Sequence, residues 1–180
     1  MKIHKTEIED LLVIHPDVFP DERGYFFESF QKEKFREAGL NWDFVQDNES
    51  MSMKGVLRGL HFQLPPFAQG KLVRVVRGSV LDVAVDLRKN SATYGKWASF
   101  RINAENKWMA FIPTGFAHGF LVLEDHTIFQ YKCTNYYNKE SESGIIWNDP
   151  DLNIDWGIKH PLVSEKDLKG LRFKDFVSPF

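Results

Sequence analysis

The chain has 180 residues, 43 % of them hydrophobic, enough to bury a core and few enough for one domain spanning 1–180. A formal net charge of −2 without a basic run gives no footing for nucleic acid or an anionic membrane surface. No stretch approaches the roughly 20 apolar residues that cross a bilayer, MKIHKTEIED lacks the apolar segment of a signal peptide, and one cysteine, Cys133, excludes an internal disulfide and fits the reducing cytoplasm.

Aromatics make 14 % of the chain, with 16 Phe and 5 Trp, a bias that favours strands over helices. Residues 3–13 carry a weak strand pattern around a charged middle. Pro16, Pro20 and Asp21-Glu22-Arg23-Gly24 form a turn-rich link. Residues 25–30 read as an aromatic strand with Arg23 and Glu28 at its two ends. Residues 31–38 predict a short helix with Phe35 and Ala38 facing inward and Gly39 as its left-handed stop. Residues 45–50 are polar and predict no more than an extended edge.

From Gly55 onward, short strands alternate with turn signals about every ten residues, the rhythm of a sandwich or barrel. The first is GVLRGLHFQLPPFAQGK, 55–71, where Gly55 and Gly59 mark a bulge or a close backbone approach. Pro65-Pro66 ends the ladder because proline has no amide proton to give. Residues 72–76 and 80–87 flank Arg77-Gly78-Ser79 as a hairpin; in the second of them Asp82, Ala84 and Asp86 share one face and Leu81, Val83 and Val85 the other. Strands follow at 97–102, 108–112, 119–123 and 127–134. A short C-terminal helix starts at Ser164, with Asp167 three residues on as the acid of a capping box.

Two stretches carry chemistry. Arg58, His61 and Lys71 place a guanidinium, an imidazole and an ammonium within one mixed apolar segment, which reads as an electropositive pocket or as a solvated face. In Phe111–Phe120, a Pro-x-Gly-x-x-His turn aims His118 back into a barrel. This resembles the second signature of the cupins, whose histidine is often a metal ligand. A catalytic metal generally takes about three protein ligands. The first-signature region offers only His61 with Phe62 and Gln63, so the expectation is no metal.

A closer resemblance runs along nearly the whole chain. Pro20-Asp21-x-Arg23-Gly24, Arg58-Gly59-Leu60-His61-Phe62-Gln63, Gln69-Gly70-Lys71, Pro113-x-Gly-Phe-Ala-His118-Gly-Phe, Tyr131-Lys132-Cys133-Thr134, Ile146-Trp147-Asn148-Asp149-Pro150 and Ser164-x-Lys166-Asp167 resemble, in this order, the dTDP-4-dehydrorhamnose 3,5-epimerases. The resemblance implies an all-β, cupin-type jelly-roll barrel with short helices near the N- and C-termini. It implies His61 as general base with Asp167 behind it, and Tyr131 as general acid. Lys71, Arg58 and His118 would line the sugar pocket. Arg23, Glu28, Gln46, Asn48, Tyr137, Glu142 and Lys166 would surround the nucleotide and sugar. Also implied are a dTDP-linked 4-keto-6-deoxy sugar as substrate, no cofactor, and a homodimer whose N-terminal arms are exchanged.

These residue types suit the chemistry. The C3 and C5 protons of a 4-keto sugar are acidic because the C4 carbonyl accepts the negative charge. Inversion needs a base on one face, an acid on the other and a cation for the enolate oxygen. Taken singly, each residue has a plainer reading: His61 as a structural histidine, Asp167 as a cap, Tyr131 as core, and Arg23 with Glu28 as a surface pair worth about 0–1 kcal/mol. A relative that inverts one carbon only or moves the keto group, a sugar-binding cupin and a metal-dependent cupin remain as alternatives.

Overall fold

The computed structural model describes residues 1–180. In chain order, the first half holds β1 (Lys2–Lys5), β2 (Leu12–His15), β3 (Phe19–Asp21), β4 (Gly24–Phe26), the helix α1 (Lys32–Glu37), β5 (Gln46–Ser52), β6 (Val56–Gln63), β7 (Lys71–Arg77) and β8 (Ser79–Asp86). The second half holds β9 (Trp97–Asn103), β10 (Met109–Ile112), β11 (Phe116–Val122), β12 (Thr127–Cys133), β13 (Glu142–Gly144) and β14 (Leu162–Val163), with short 3-10 turns at Lys139–Ser141, Asp167–Lys169 and Phe173–Asp175. The architecture is the expected all-β jelly roll, hydrogen-bonded as two sheets. One runs β1-β2-β10-β7-β12-β5; the other runs β13-β6-β11-β8-β9, with β14 beside β6.

The inner faces of the two sheets meet in one apolar layer. Val73, Val75 and Phe129 from the first pack with Val80, Phe120 and Val122 from the second. The outer face of the second sheet is covered as well. The C-terminal segment lays Leu152, Trp156 and Phe176 over Leu57, Val83 and Val85. β8 is therefore buried on both sides, which is why SVLDVAVD is apolar at alternate and intervening positions alike. On the first sheet, Phe35 of α1 and Leu40 cover Leu12, Leu72 and Phe111. Burying a phenylalanine such as Phe35 contributes about 1.5–3 kcal/mol.

Several expectations need correction. Residues 3–13 form two antiparallel strands, β1 and β2, reversed through a loop in which Asp10 has φ +66°. Pro20 lies within β3, paired with Tyr25 in a separate two-stranded ribbon where a missing amide donor costs no central ladder bond. That strand pattern stops at Phe26, short of Glu28. α1 has the expected start and stop, with the Gln31 side chain accepting from the Lys34 amide and Gly39 at φ +82°. Ala38 is exposed, however, and Leu40 fills the inward position.

Arg77-Gly78-Ser79 is not a hairpin turn. β7 pairs with β10 and β12, whereas β8 pairs with β9 and β11, so the chain crosses between sheets at Gly78 (φ +81°). β5 is an edge strand as expected, though longer than read. The C-terminal helix is a single 3-10 turn.

Candidate active site

The site is built on β6. In a regular strand, residues three apart point to opposite faces, so Arg58 and His61 should diverge. They do not. Along β11 the register moves from His118 opposite His61 to Phe120 opposite Arg58, so Gly119 alone faces two residues and β6 carries a bulge at Gly59-Leu60. The bulge turns Arg58 and His61 into one cavity of about 220 Å³, shared with Lys71, His118 and Tyr131. Gly59 permits it: φ is +127°, and a Cβ there would lie 2.5 Å from Gly119 Cα and 2.8 Å from the His118 carbonyl oxygen.

His61 Nε2 stands 2.5 Å from Asp167 Oδ1, with the imidazole side chain 31 % exposed and the carboxylate 4 %. The ring can therefore meet a ligand while its partner cannot. Asp167 Oδ2 accepts the Gly59 amide at 3.3 Å, tying the carboxylate to the bulge. Burial alone would raise the Asp167 pKa, but the His61, Gly59 and Ser164 hydrogen bonds outweigh it and hold the carboxyl below its ordinary range. The capping-box reading of Asp167 fails. Its amide does donate to Ser164 Oγ at 3.2 Å, but its carboxylate goes to His61 and to the Gly59 amide.

The opposite wall comes from the other sheet. Lys71 opens β7 and lies opposite Cys133 on β12, so Tyr131, two residues along β12, faces the same way. Lys71 Nζ is 5.8 Å from the Tyr131 ring centre. Burial pushes the Lys71 ammonium pKa down and the Tyr131 phenol pKa up. Arg58 is steadied by Ser52 Oγ, which accepts from Nε at 3.2 Å and Nη2 at 3.1 Å. His118, buried in β11, sets Nε2 2.8 Å from Asp82 Oδ2.

A second cavity of about 230 Å³ continues the first past His61, Lys71 and Tyr131 to Gln46, Asn48, Tyr137 and Glu142. Gln46 Nε2 donates to Asn48 Oδ1 at 3.0 Å, and Gln46 Oε1 accepts the Tyr137 amide at 2.8 Å. Tyr137 Oη donates to Glu142 Oε2 at 3.1 Å, and Lys166 pairs with Glu142 from the rim. Burial works to raise the Glu142 pKa, but Lys166 and Tyr137 hold it below the usual value.

The structure thus gathers His61, Asp167, Tyr131, Lys71, Arg58, His118, Gln46, Asn48, Tyr137, Glu142 and Lys166 around two joined cavities. Arg23 and Glu28 line neither of them. Arg23 projects into solvent, bound only to Asp21 at 2.6 Å, and Glu28 pairs with Lys34. No group of three or more His, Cys, Asp or Glu side chains converges as a metal site, and no helix is long and apolar enough to cross a membrane.

The family profile described as dTDP-4-dehydrorhamnose 3,5-epimerase matches residues 5–175. The chain belongs to this family. It is 56 % identical over 176 residues to the Shigella flexneri dTDP-4-dehydrorhamnose 3,5-epimerase, covering 97 % of each chain. The crystal structure of the Elizabethkingia anophelis dTDP-4-dehydrorhamnose 3,5-epimerase superposes with a TM-score of 0.92 at 53 % identity, over 97 % of each chain. The Legionella pneumophila dTDP-6-deoxy-D-glucose-3,5-epimerase, solved with dTDP-4-keto-L-rhamnose, gives a TM-score of 0.93 at 47 % identity, over 98 % of this chain and 94 % of that one.

For a member of the epimerase family, two residues of the site were named in the sequence without being given a part in it. Gln63 braces the loop over the second cavity, donating to the Phe67 and Tyr136 carbonyls at 2.6 and 3.1 Å and accepting the Asn138 amide at 2.8 Å. Its position inside the Arg-Gly-Leu-His-Phe-Gln motif was the available signal. Asp82 supports His118, and a carboxylate inside an otherwise apolar strand marked it.

Proposed function

We propose that this chain inverts C3 and C5 of dTDP-4-dehydro-6-deoxy-D-glucose, giving dTDP-4-dehydro-L-rhamnose, with no redox cofactor. One observation carries the reading: an imidazole backed by a buried carboxylate on one sheet and a phenol on the other open into the same cavity. That is a base and an acid on opposite sides of one bound ring. The family membership and the ligand in the Legionella pneumophila structure supply the substrate class.

In this scheme His61 takes the proton from the carbon beside the ketone, and the electron pair moves into the C4–O bond to form an enolate. Imidazole, with an ordinary pKa near 6.5, suits a base at neutral pH. Asp167 fixes the ring and stabilises the imidazolium that forms. Lys71, with Arg58 and His118 beside it, meets the enolate oxygen. Such preorganised donors are worth about 3–4 kcal/mol each in comparable sites. Tyr131 returns a proton from the other face, and exchange with solvent resets both groups before the second carbon reacts. Gln46, Asn48, Tyr137, Glu142 and Lys166 would hold the rest of the sugar nucleotide.

Arg23 and Glu28 enter the same proposal through a second copy of the chain. The β3–β4 ribbon bears Phe19, Tyr25 and Phe26, all more than half exposed, beside an Arg23 with no distant partner. An arm of that kind suits a homodimer in which each ribbon reaches the other protomer's cavity, where Arg23 would meet the diphosphate. The buried free thiol of Cys133 is in keeping with work in the cytoplasm. The test is NMR of the product made in deuterated water. Inversion with deuterium at both C3 and C5 supports the reading, inversion at one carbon means a mono-epimerase, and binding without exchange means a sugar-binding protein.

A further inference from the structure

We propose that Asp82, which the scheme above leaves without a part, is a positioning residue for the side chains around the enolate: it holds the His118 ring by Nε2 and gives Lys71 a buried counter-charge. The inference rests on the epimerase reading and deepens it.

The carboxylate sits on β8, fully buried, on the strand face that it shares with Ala84. Oδ2 lies 2.8 Å from His118 Nε2, and Oδ1 has no hydrogen-bond partner at all. The surroundings are apolar: Phe120 and Phe129 stack at 4.0 Å, and Phe129 lies 6.1 Å from the His118 ring. A carboxylate left half-unsatisfied in such a place is costly. An apolar side chain of similar volume there is often neutral or stabilising for the fold. Packing therefore does not account for Asp82.

The cavity does. His118 and Lys71 face it together with Tyr131 of β12 and with Arg58 and His61 of β6; Glu49 of β5 lines its edge. Around the Lys71 ammonium, the groups that work against its burial are Cys133 of β12, Asp82 of β8 and Glu142 of β13. Burial pushes the Cys133 thiol up, away from its charged form. Glu142 is already engaged by Lys166 and Tyr137. Asp82, with one oxygen unpaired, is the carboxylate left to keep Lys71 an ammonium. By taking His118 Nε2–H it also leaves Nδ1 as an acceptor, suited to a sugar hydroxyl beside the reacting carbon.

The decisive variant is Asp82→Asn in the full chain, which keeps the shape and an oxygen for Nε2–H but loses the charge. The expected result is a kcat lowered by about 10²-fold, KM nearly unchanged, and the high-pH limb of kcat moved to lower pH because Lys71 deprotonates sooner. Asp82→Leu should keep or raise the melting temperature and be as inactive or more so. Wild-type kcat and an unmoved limb in folded Asp82→Asn would overturn the proposal. So would a wild-type His118 found by ¹⁵N NMR to carry its proton on Nδ1, a measurement that needs no variant. Either failure leaves inversion by the wild type intact, whereas failure of the epimerase reading appears as a wild type that inverts nothing.

Discussion

Asp167 Oδ1 lies 2.5 Å from His61 Nε2, and the second oxygen of the same carboxylate accepts the Gly59 amide at 3.3 Å. One side chain thus anchors both the base and the bulge that aims it. Asp167→Asn keeps the shape but presents either an NH₂ to the ring or an uncharged oxygen, which favours the wrong tautomer and leaves the imidazolium unsupported. Turnover should fall about 10²- to 10⁴-fold, with less effect on binding of dTDP. Wash-in of solvent deuterium should fall in parallel with inversion; kcat within twofold of wild type would show that the pair is structural only.

The acid limb of stability follows from four carboxyls. Burial acts to raise Asp86, Asp149, Asp167 and Glu142, yet in each the hydrogen bonds win and the pKa lies below its ordinary value. A carboxyl with a depressed folded pKa binds fewer protons folded than unfolded. It stabilises above the unfolded pKa, and that contribution disappears as pH falls through the folded one. The urea midpoint should be flat down to about pH 5 and drop steeply below about pH 4. A midpoint unchanged between pH 5 and pH 3 would contradict these directions.

Gly59 should tolerate no side chain. Its φ of +127° is closed to L residues, and its Cβ would overlap the β11 backbone at Gly119 and His118. Gly59→Ala should cost on the order of 3 kcal/mol from backbone strain and overpacking together, read as a lower denaturant midpoint at constant m. Gly157, at φ +69° with nothing within 4 Å, is the control, where alanine should cost about 1 kcal/mol. Equal losses at the two sites would count against the close approach as the reason for Gly59.

If the ribbons are exchanged, Arg23 and His61 serve the same cavity from different chains. Arg23→Ala should raise KM, since a diphosphate carries equal charge in ground and transition states, while His61→Ala should be inactive. Mixing the two after unfolding and refolding gives heterodimers with one intact cavity, so activity at low substrate should rise above the Arg23→Ala protein alone. Strict additivity of the unmixed rates, or a monomer by sedimentation, removes the exchange from the account.

Much of this was legible in the sequence because the signals were local. Strand periodicity and Gly/Pro punctuation gave the elements from β6 to β12, and Gly59 marked the bulge that brings Arg58 and His61 together. What failed depended on distant partners. A Gly-containing turn such as Arg77-Gly78-Ser79 looks the same whether the chain returns to its own sheet or crosses to the other. Asp167 fitted a capping box by spacing, and it was the family resemblance, not the local pattern, that set it behind His61, 106 positions away. The tail from Leu168 carried no readable motif, yet Phe173, Phe176 and Phe180 help to close the outer face of the second sheet. Arg23 and Glu28 were named by motif, and neither of the two joined cavities of the single chain contains them.

The central claim is that His61 removes the proton and Tyr131 returns one from the opposite face. Tyr131→Phe tests it most directly, followed by ¹H NMR at C3 and C5 in deuterated water. With the phenol gone, His61 can still take a proton and give a deuteron back on the same face. Exchange without inversion should therefore persist at one carbon or both, while the epimerised product falls about 10²- to 10⁴-fold. Inversion at the wild-type rate, or loss of exchange together with inversion, would contradict the assignment of base and acid to opposite sheets.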